Sequence, residues 1–147
     1  MVWGDVDFLI LDLPPGTGDI QLTIVQTAEL DGVVVVTTPQ EVALIDARKA
    51  IGLFERVKTP ILGVIENMSY FQCPSDGKIY HIFGEGGGER EAAKLGVPLL
   101  GKIPLDIATR SGGDEGRPVA LEDPGQNPVS AAFRQVAEQC ARMVLDC

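Results

Sequence analysis

The chain has 147 residues, of which 45% are hydrophobic and 22% charged, and its net charge is −9 at pH 7. That length and balance suit one α/β domain with its own core, and the acidity argues against a sequence-independent grip on nucleic acid or an anionic membrane surface. The longest apolar stretch, 33–36, is far too short to span a membrane, residues 1–5 lack the regions of a signal peptide, and three widely spaced cysteines do not form a secreted disulfide framework; reduced thiols and a cytoplasmic location are therefore expected.

The first expected element is a strand over residues 7–11, because a short unbroken apolar run reads as a buried parallel strand. Asp12 follows it. An acidic residue at a strand's carboxyl end lies where open α/β sheets bind ligands, so Asp12 is a candidate for holding magnesium over a phosphate. The turn Pro14-Pro15-Gly16 either brings backbone amides close to an anion or is a plain strand-to-helix turn. Asp19 can cap a helix running to about residue 29. A second strand is expected at 33–37, and Thr37-Thr38-Pro39-Gln40 after it is either a pocket wall or a helix start. The helix over 41–57 places Leu44, Ala47, Ile51, Phe54 and Val57 on one stripe, and Pro60 ends it. Residues 52–59 come nearest to a phosphate-loop pattern, but Val57 stands where the second glycine belongs, so no such loop is present.

A third strand is expected at 61–65. Asn67, just beyond it, has the donor and acceptor needed to read a purine edge, or simply caps a turn. Residues 70–88 read as an irregular, glycine-rich loop of the length that is commonly functional. Within it, Cys73-Pro74-Ser75-Asp76 has the spacing of a metal-binding pair with a carboxylate where the second sulfur would stand. His81, the only histidine, reads as a surface residue. A fourth strand at 99–103 leads to Pro104 and Asp106, the latter positioned to contact a ribose or to cap a helix running to Arg110. Asn127 as cap and Pro128 at the first helical position open a last helix whose stripe includes Val129, Phe133, Val136, Cys140 and Met143. Cys140 reads as a buried structural thiol and Cys147 as incidental. Strands alternating with helices predict a mostly parallel sheet flanked by helices.

Five motifs in order carry a resemblance: Asp-Leu-Pro-Pro-Gly-Thr-Gly-Asp at 12–19, Thr-Thr-Pro-Gln-Glu at 37–41, Glu-Asn-Met-Ser-Tyr-Phe at 66–71, Ile-Phe-Gly-Glu-Gly-Gly-Gly at 82–88 and Ile-Pro-Leu-Asp at 103–106. Together they resemble the Mrp/ApbC family of ParA/MinD-like P-loop ATPases, which act as iron-sulfur cluster carriers. The resemblance implies that residues 1–147 form a single α/β domain, the carboxyl-terminal part of an Mrp-type ATPase domain. It implies ATP and magnesium as cofactors in the intact protein, with Asp12 acting on magnesium through water and Gly16 in the switch that senses the γ-phosphate. Asn67 would read the adenine edge, with the loop of Pro104 and Asp106 closing over base and ribose. It further implies a homo-oligomer delivering iron-sulfur clusters to apo-proteins.

Two departures from the family pattern matter. The family's glycine-rich loop with two lysines is expected upstream of Asp12 and is not in this sequence, so no independent ATP hydrolysis is expected of the chain. The family's Cys-x-x-Cys is here Cys73 and Asp76, so two subunits would offer two thiolates where a four-iron cluster normally takes four. The resemblance also places the phosphate-loop strand inside the sheet, beside the strand ending at Asp12; without it, unpaired edges are expected to drive self-association. A non-catalytic scaffold of the same fold is the alternative reading. A MinD- or ParA-like positioning ATPase ranks third, because its usual basic or amphipathic surface is missing.

Overall fold

The structure, a computed structural model, describes residues 3–14 and 19–145. Its elements in chain order are α1 (Asp19–Thr27), β1 (Val33–Thr37), α2 (Glu41–Arg56), β2 (Ile61–Glu66), β3 (Phe71–Gln72), β4 (Ile79–Tyr80), α3 (Gly87–Leu95), β5 (Leu99–Lys102), α4 (Ile107–Asp114), a 3-10 turn (Val119–Leu121) and α5 (Pro128–Leu145). Strands β1, β2 and β5 form a parallel sheet in the order β1-β2-β5, with helices packed against it.

The sheet is held by burial of the apolar positions that its sequence offers. Val35, Val64, Ile51 and Ala92 form the core where β1, β2, α2 and α3 meet, and Leu44 and Phe54 of α2 are also buried. Close approach replaces side-chain volume at two points. A Cβ on Gly101 would lie 2.4 Å from Val136 Cγ2, which is how tightly α5 seats on β5, and one on Gly87 would lie 2.6 Å from the Pro39 carbonyl oxygen. The last helix starts as its sequence predicts: Asn127 Oδ1 accepts from the amides of Val129 (2.8 Å) and Ser130 (3.2 Å).

Three expectations need correction. Residues 7–11 are not a strand. Phe8, Leu9, Ile10 and Leu11 are all exposed, and residues 3–14 make no backbone–backbone hydrogen bond to any described residue; the Pro14 carbonyl accepts from the Gln21 side chain. A strand exists only through its ladder, and no neighbour supplies one here. Residues 70–88 are not wholly irregular: β3 and β4 pair antiparallel, Phe71 with Tyr80 and Gln72 with Ile79, and α3 begins at Gly87. Cys140 is half-buried rather than enclosed, although burial still pushes its thiol pKa up.

Candidate site at the carboxyl ends of the strands

The strands run parallel, so the turns after β1, β2 and β5 gather on one edge of the sheet, and backbone hydrogen bonds lace them together there. Asn67 N donates to Thr37 O (2.7 Å), Ile103 N to Glu66 O (2.9 Å) and Ser69 N to Ile103 O (3.0 Å). The lacing continues beyond the sheet, where Leu105 N donates to Tyr70 O (2.8 Å) and Phe71 bridges to Leu105. Asn67 is thereby fixed one residue beyond β2. Its Oδ1 accepts from Met68 N (2.9 Å), which leaves the amide NH2 free to donate. Met68 sits at φ 51, a left-handed conformation that is costly without glycine and that the surrounding bonds hold in place.

Glu66 is the residue that sequence reasoning missed. It is fully buried at the end of the central strand, where Ser69 Oγ donates to its Oε1 (2.5 Å) and Gly88 N donates to its Oε2 (2.6 Å). A carboxylate at this position satisfies an orphan amide in the first turn of α3 and lies favourably against the helix dipole. Gly88 is required by the same contact, since a Cβ there would lie 3.0 Å from Glu66 Cβ and 3.2 Å from its Oε2. The signal in the sequence was an acidic residue closing an apolar strand, directly before Asn67. A second buried carboxylate, Glu91 of α3, takes a bidentate contact from Arg48 (2.8 and 2.7 Å) and one from Lys94 (2.7 Å). The Arg48 bonds, with Lys94, hold the Glu91 carboxyl at a pKa of about 2. Glu66 thus ties α3 to the end of β2, and Glu91 ties α2 to α3.

Beside this edge a cleft of ≈ 270 Å³ is lined by Tyr70, Cys73, Pro104, Leu105, Asp106 and Val129, among others. The structure thus brings Cys73, Pro104 and Asp106 together on one wall system. Asp106 caps α4: its Oδ2 accepts from Thr109 N (2.6 Å) and Thr109 Oγ1 (2.7 Å). Cys73 opens the β3–β4 turn, where Cys73 N donates to Lys78 O (2.9 Å) and Gly77 N to Cys73 O (2.8 Å). The hydroxyl of Ser75, 3.0 Å from the sulfur, and the amides of Ser75 and Asp76 lower the thiol's pKa from its ordinary value. Asp76 spends its Oδ1 on the Lys78 amide (3.0 Å) and so works as a turn-forming residue. His81 is exposed, 3.7 Å from Glu85.

Asp12 does not join this group. It is exposed and makes no hydrogen bond or ion pair with any described residue, and without a strand at 7–11 nothing aligns it with the turn of Asn67. Gly16 lies outside the described residues. Pro104 and Asp106 line the cleft, and Asn67 stands one residue beyond β2 outside its lining. Lys102, at the end of β5, is paired with Glu89 (3.0 Å), and among the described residues no group of three or more His, Cys, Asp or Glu side chains could hold a metal ion.

A parallel α/β sheet with its loops converging at the strands' carboxyl ends is the general ligand-binding arrangement of open α/β folds, which P-loop NTPases share. Comparison with known proteins makes this specific. The chain belongs to the family described as ParA: NUBPL iron-transfer P-loop NTPase, whose model matches residues 1–141. It is 50% identical over 139 residues to the iron-sulfur cluster carrier protein of Pyrococcus furiosus, covering 95% of this chain and 46% of that protein. It is 49% identical over 140 residues to the mitochondrial iron-sulfur protein required for NADH dehydrogenase of Arabidopsis thaliana, covering 95% and 44%. Among solved structures, a nucleotide-binding protein of Archaeoglobus fulgidus in complex with ADP matches at a TM-score of 0.70 and 44% identity over 78% of this chain and 47% of that one. The cell division ATPase MinD of Pyrococcus furiosus matches at a TM-score of 0.55 and 30% identity, over 77% and 43%. The chain spans about half the length of the curated relatives it matches. No helix among the described residues is long and apolar enough to cross a membrane.

Proposed function

We propose that this chain is part of an iron-sulfur cluster carrier, and that residues 1–147 are one α/β domain, the carboxyl-terminal part of an Mrp-type ATPase domain. The observation that carries the reading is the cleft that Cys73 shares with Pro104 and Asp106, with the Cys73 hairpin bonded through Tyr70 and Leu105 to the loop after β5. In this reading Asn67 donates to the base, Pro104 and Asp106 flank base and ribose, and Cys73 is the thiolate that holds the cluster, which is cargo for iron-sulfur apo-proteins. Relatives at about 50% identity that are named iron-sulfur cluster carriers support it.

Asp12 and Gly16 take the magnesium and γ-phosphate roles only where a phosphate-binding loop with free cations faces them. ATP bound to this chain alone would meet carboxylates without compensating lysines. On this reading ATP hydrolysis depends on such a loop. Anaerobic reconstitution with ferrous iron and sulfide tests the carrier reading. A visible absorbance with stoichiometric iron, lost in Cys73→Ala and kept in Cys140→Ala, is the expected result. Absence of bound iron, or binding indifferent to Cys73, would replace it with the second reading, a scaffold of the same fold without the chemistry, which Asp76 in its turn-forming role favours.

A further inference from the structure

The two carboxylate oxygens of Glu66 grip different stretches of chain. Oε1 accepts from Ser69 Oγ (2.5 Å), three residues on, and Oε2 accepts from Gly88 N (2.6 Å), 22 residues on. Ser69 and Gly88 are the residues immediately before and immediately after the segment 70–87, which carries the β3–β4 hairpin and Cys73. One carboxylate therefore meets both ends of that segment.

The grip is made out of reach of water: Glu66 is 0% exposed, Ser69 3%, and Gly88 is buried. Hydrogen bonds to an ionised acceptor are strong, and more so where water does not compete. At the entry, Glu66 and Ser69 bracket Asn67 and Met68, and their side-chain bond closes the turn in which Met68 takes its φ of 51. At the exit, α3 has no side-chain cap at Gly86, so the Glu66 carboxylate serves as the acceptor for its first turn. Of residues 84–88 only Glu85 has a side chain, and so glycine-rich a stretch is conformationally free unless it is bonded. The near side of the hairpin is pinned by the backbone bond from Leu105 N to Tyr70 O. Glu66 is the side chain, among the described residues, whose bonds reach both ends.

We propose that Glu66 is a positioning residue for the strand-end site: through Ser69 it fixes the turn that presents Asn67, and through Gly88 it fixes the exit of the segment that presents Cys73. The roles of Asn67 and Cys73 rest on the carrier reading above, whereas the clasp does not. Glu66 acts through its two partners and not on the cargo, and releasing either end lets the Cys73 hairpin move against Pro104 and Asp106 across the cleft.

The test uses the full 147-residue chain carrying Cys140→Ala and Cys147→Ala, so that Cys73 is its one thiol. Into this parent are placed Glu66→Ala, Glu66→Gln and Ser69→Ala, each compared at a temperature where circular dichroism shows it folded. Gln keeps an oxygen for the Gly88 amide and offers its NH2 to the Ser69 hydroxyl, which can accept, so it preserves the clasp without the charge. Two rates are read: alkylation of Cys73 by iodoacetamide in the metal-free chain, and loss of iron to a chelator after anaerobic reconstitution with ferrous iron and sulfide. Glu66→Ala should be alkylated several-fold faster and lose iron ~10-fold faster, the scale of removing a group that orients a metal ligand. Ser69→Ala, which frees the entry alone, should shift both rates in the same direction by less, and Glu66→Gln should stay near the parent. A Glu66 that only stabilises the fold would lower the urea midpoint and leave both rates of the folded chain unchanged. If the parent itself retains no iron, the carrier reading falls and the alkylation rates alone decide the clasp. If Glu66→Ala does not fold, Ser69→Ala against the parent decides it. Rates unchanged in Glu66→Ala and Ser69→Ala, or Glu66→Gln behaving as Glu66→Ala, would overturn the proposal.

Discussion

Residues 8–11 and the strand Val33–Thr37 are both short aliphatic runs, yet one is exposed and unpaired while the other is a strand of the sheet. The difference is the neighbour. Val33–Thr37 lies beside Ile61–Glu66, which pairs in turn with Leu99–Lys102, and turns locked by backbone bonds and by the buried Glu66 close the far end of all three. The run 8–11 meets no such ladder, and its apolar side chains remain in water. Strand propensity is thus a permission that only a hydrogen-bonding partner turns into structure.

Variants can break this contrast, beginning with its strongest point. Glu66→Ala should cost about 3 kcal/mol in urea unfolding, because it leaves Ser69 and the Gly88 amide without their buried acceptor; a loss below about 1 kcal/mol would show that the strand ends are held without it. The next effect is pH-dependent. The folded pKa of Glu91 is about 2 against an ordinary 4.5, so its contribution is fully present above pH 4.5 and is lost as pH falls through about 2. Urea midpoints should accordingly fall across that window in the unaltered chain and fall less in Glu91→Gln. Asp106→Ala removes the cap of α4 and should cost about 1 kcal/mol, the usual value for such a cap, with faster amide exchange at Thr109 as its local signature. The smallest effect belongs to the unpaired run: Ile10→Ser, measured where the chain is monomeric, should change stability by less than about 0.5 kcal/mol, as expected of an exposed side chain. A larger loss would show that the run packs within its own chain.

Much of the architecture was legible beforehand. The periodicity of residues 41–57 identified Leu44, Ile51 and Phe54 as the buried stripe of α2, and Asn127-Pro128 identified the start of α5, because spacing and capping chemistry act within a few residues of chain. Asp106 as a helix cap was readable for the same reason. At the site, Asn67, Cys73, Pro104 and Asp106 were singled out by residue type and position after strands. Their grouping could be anticipated only for those that follow paired strands. Asp12 was placed at a strand end because the apolar run before it reads as a strand, and the structure has no strand there. Glu66 was passed over because its role lies in contacts with Ser69 and with Gly88, the latter 22 positions along the chain.

The sequence by itself determined the fold class, the family and the local elements, since hydrophobic period, caps and ordered motifs are properties of neighbouring residues. Tertiary structure alone decided which apolar runs became strands, that Glu66 is the buried acceptor at the strand ends, and that Cys73 shares a cleft with Pro104 and Asp106. Those outcomes depend on hydrogen-bond partners and burial supplied by distant segments, and a buried carboxylate or an unpaired strand edge is recognised only once its neighbours are in place.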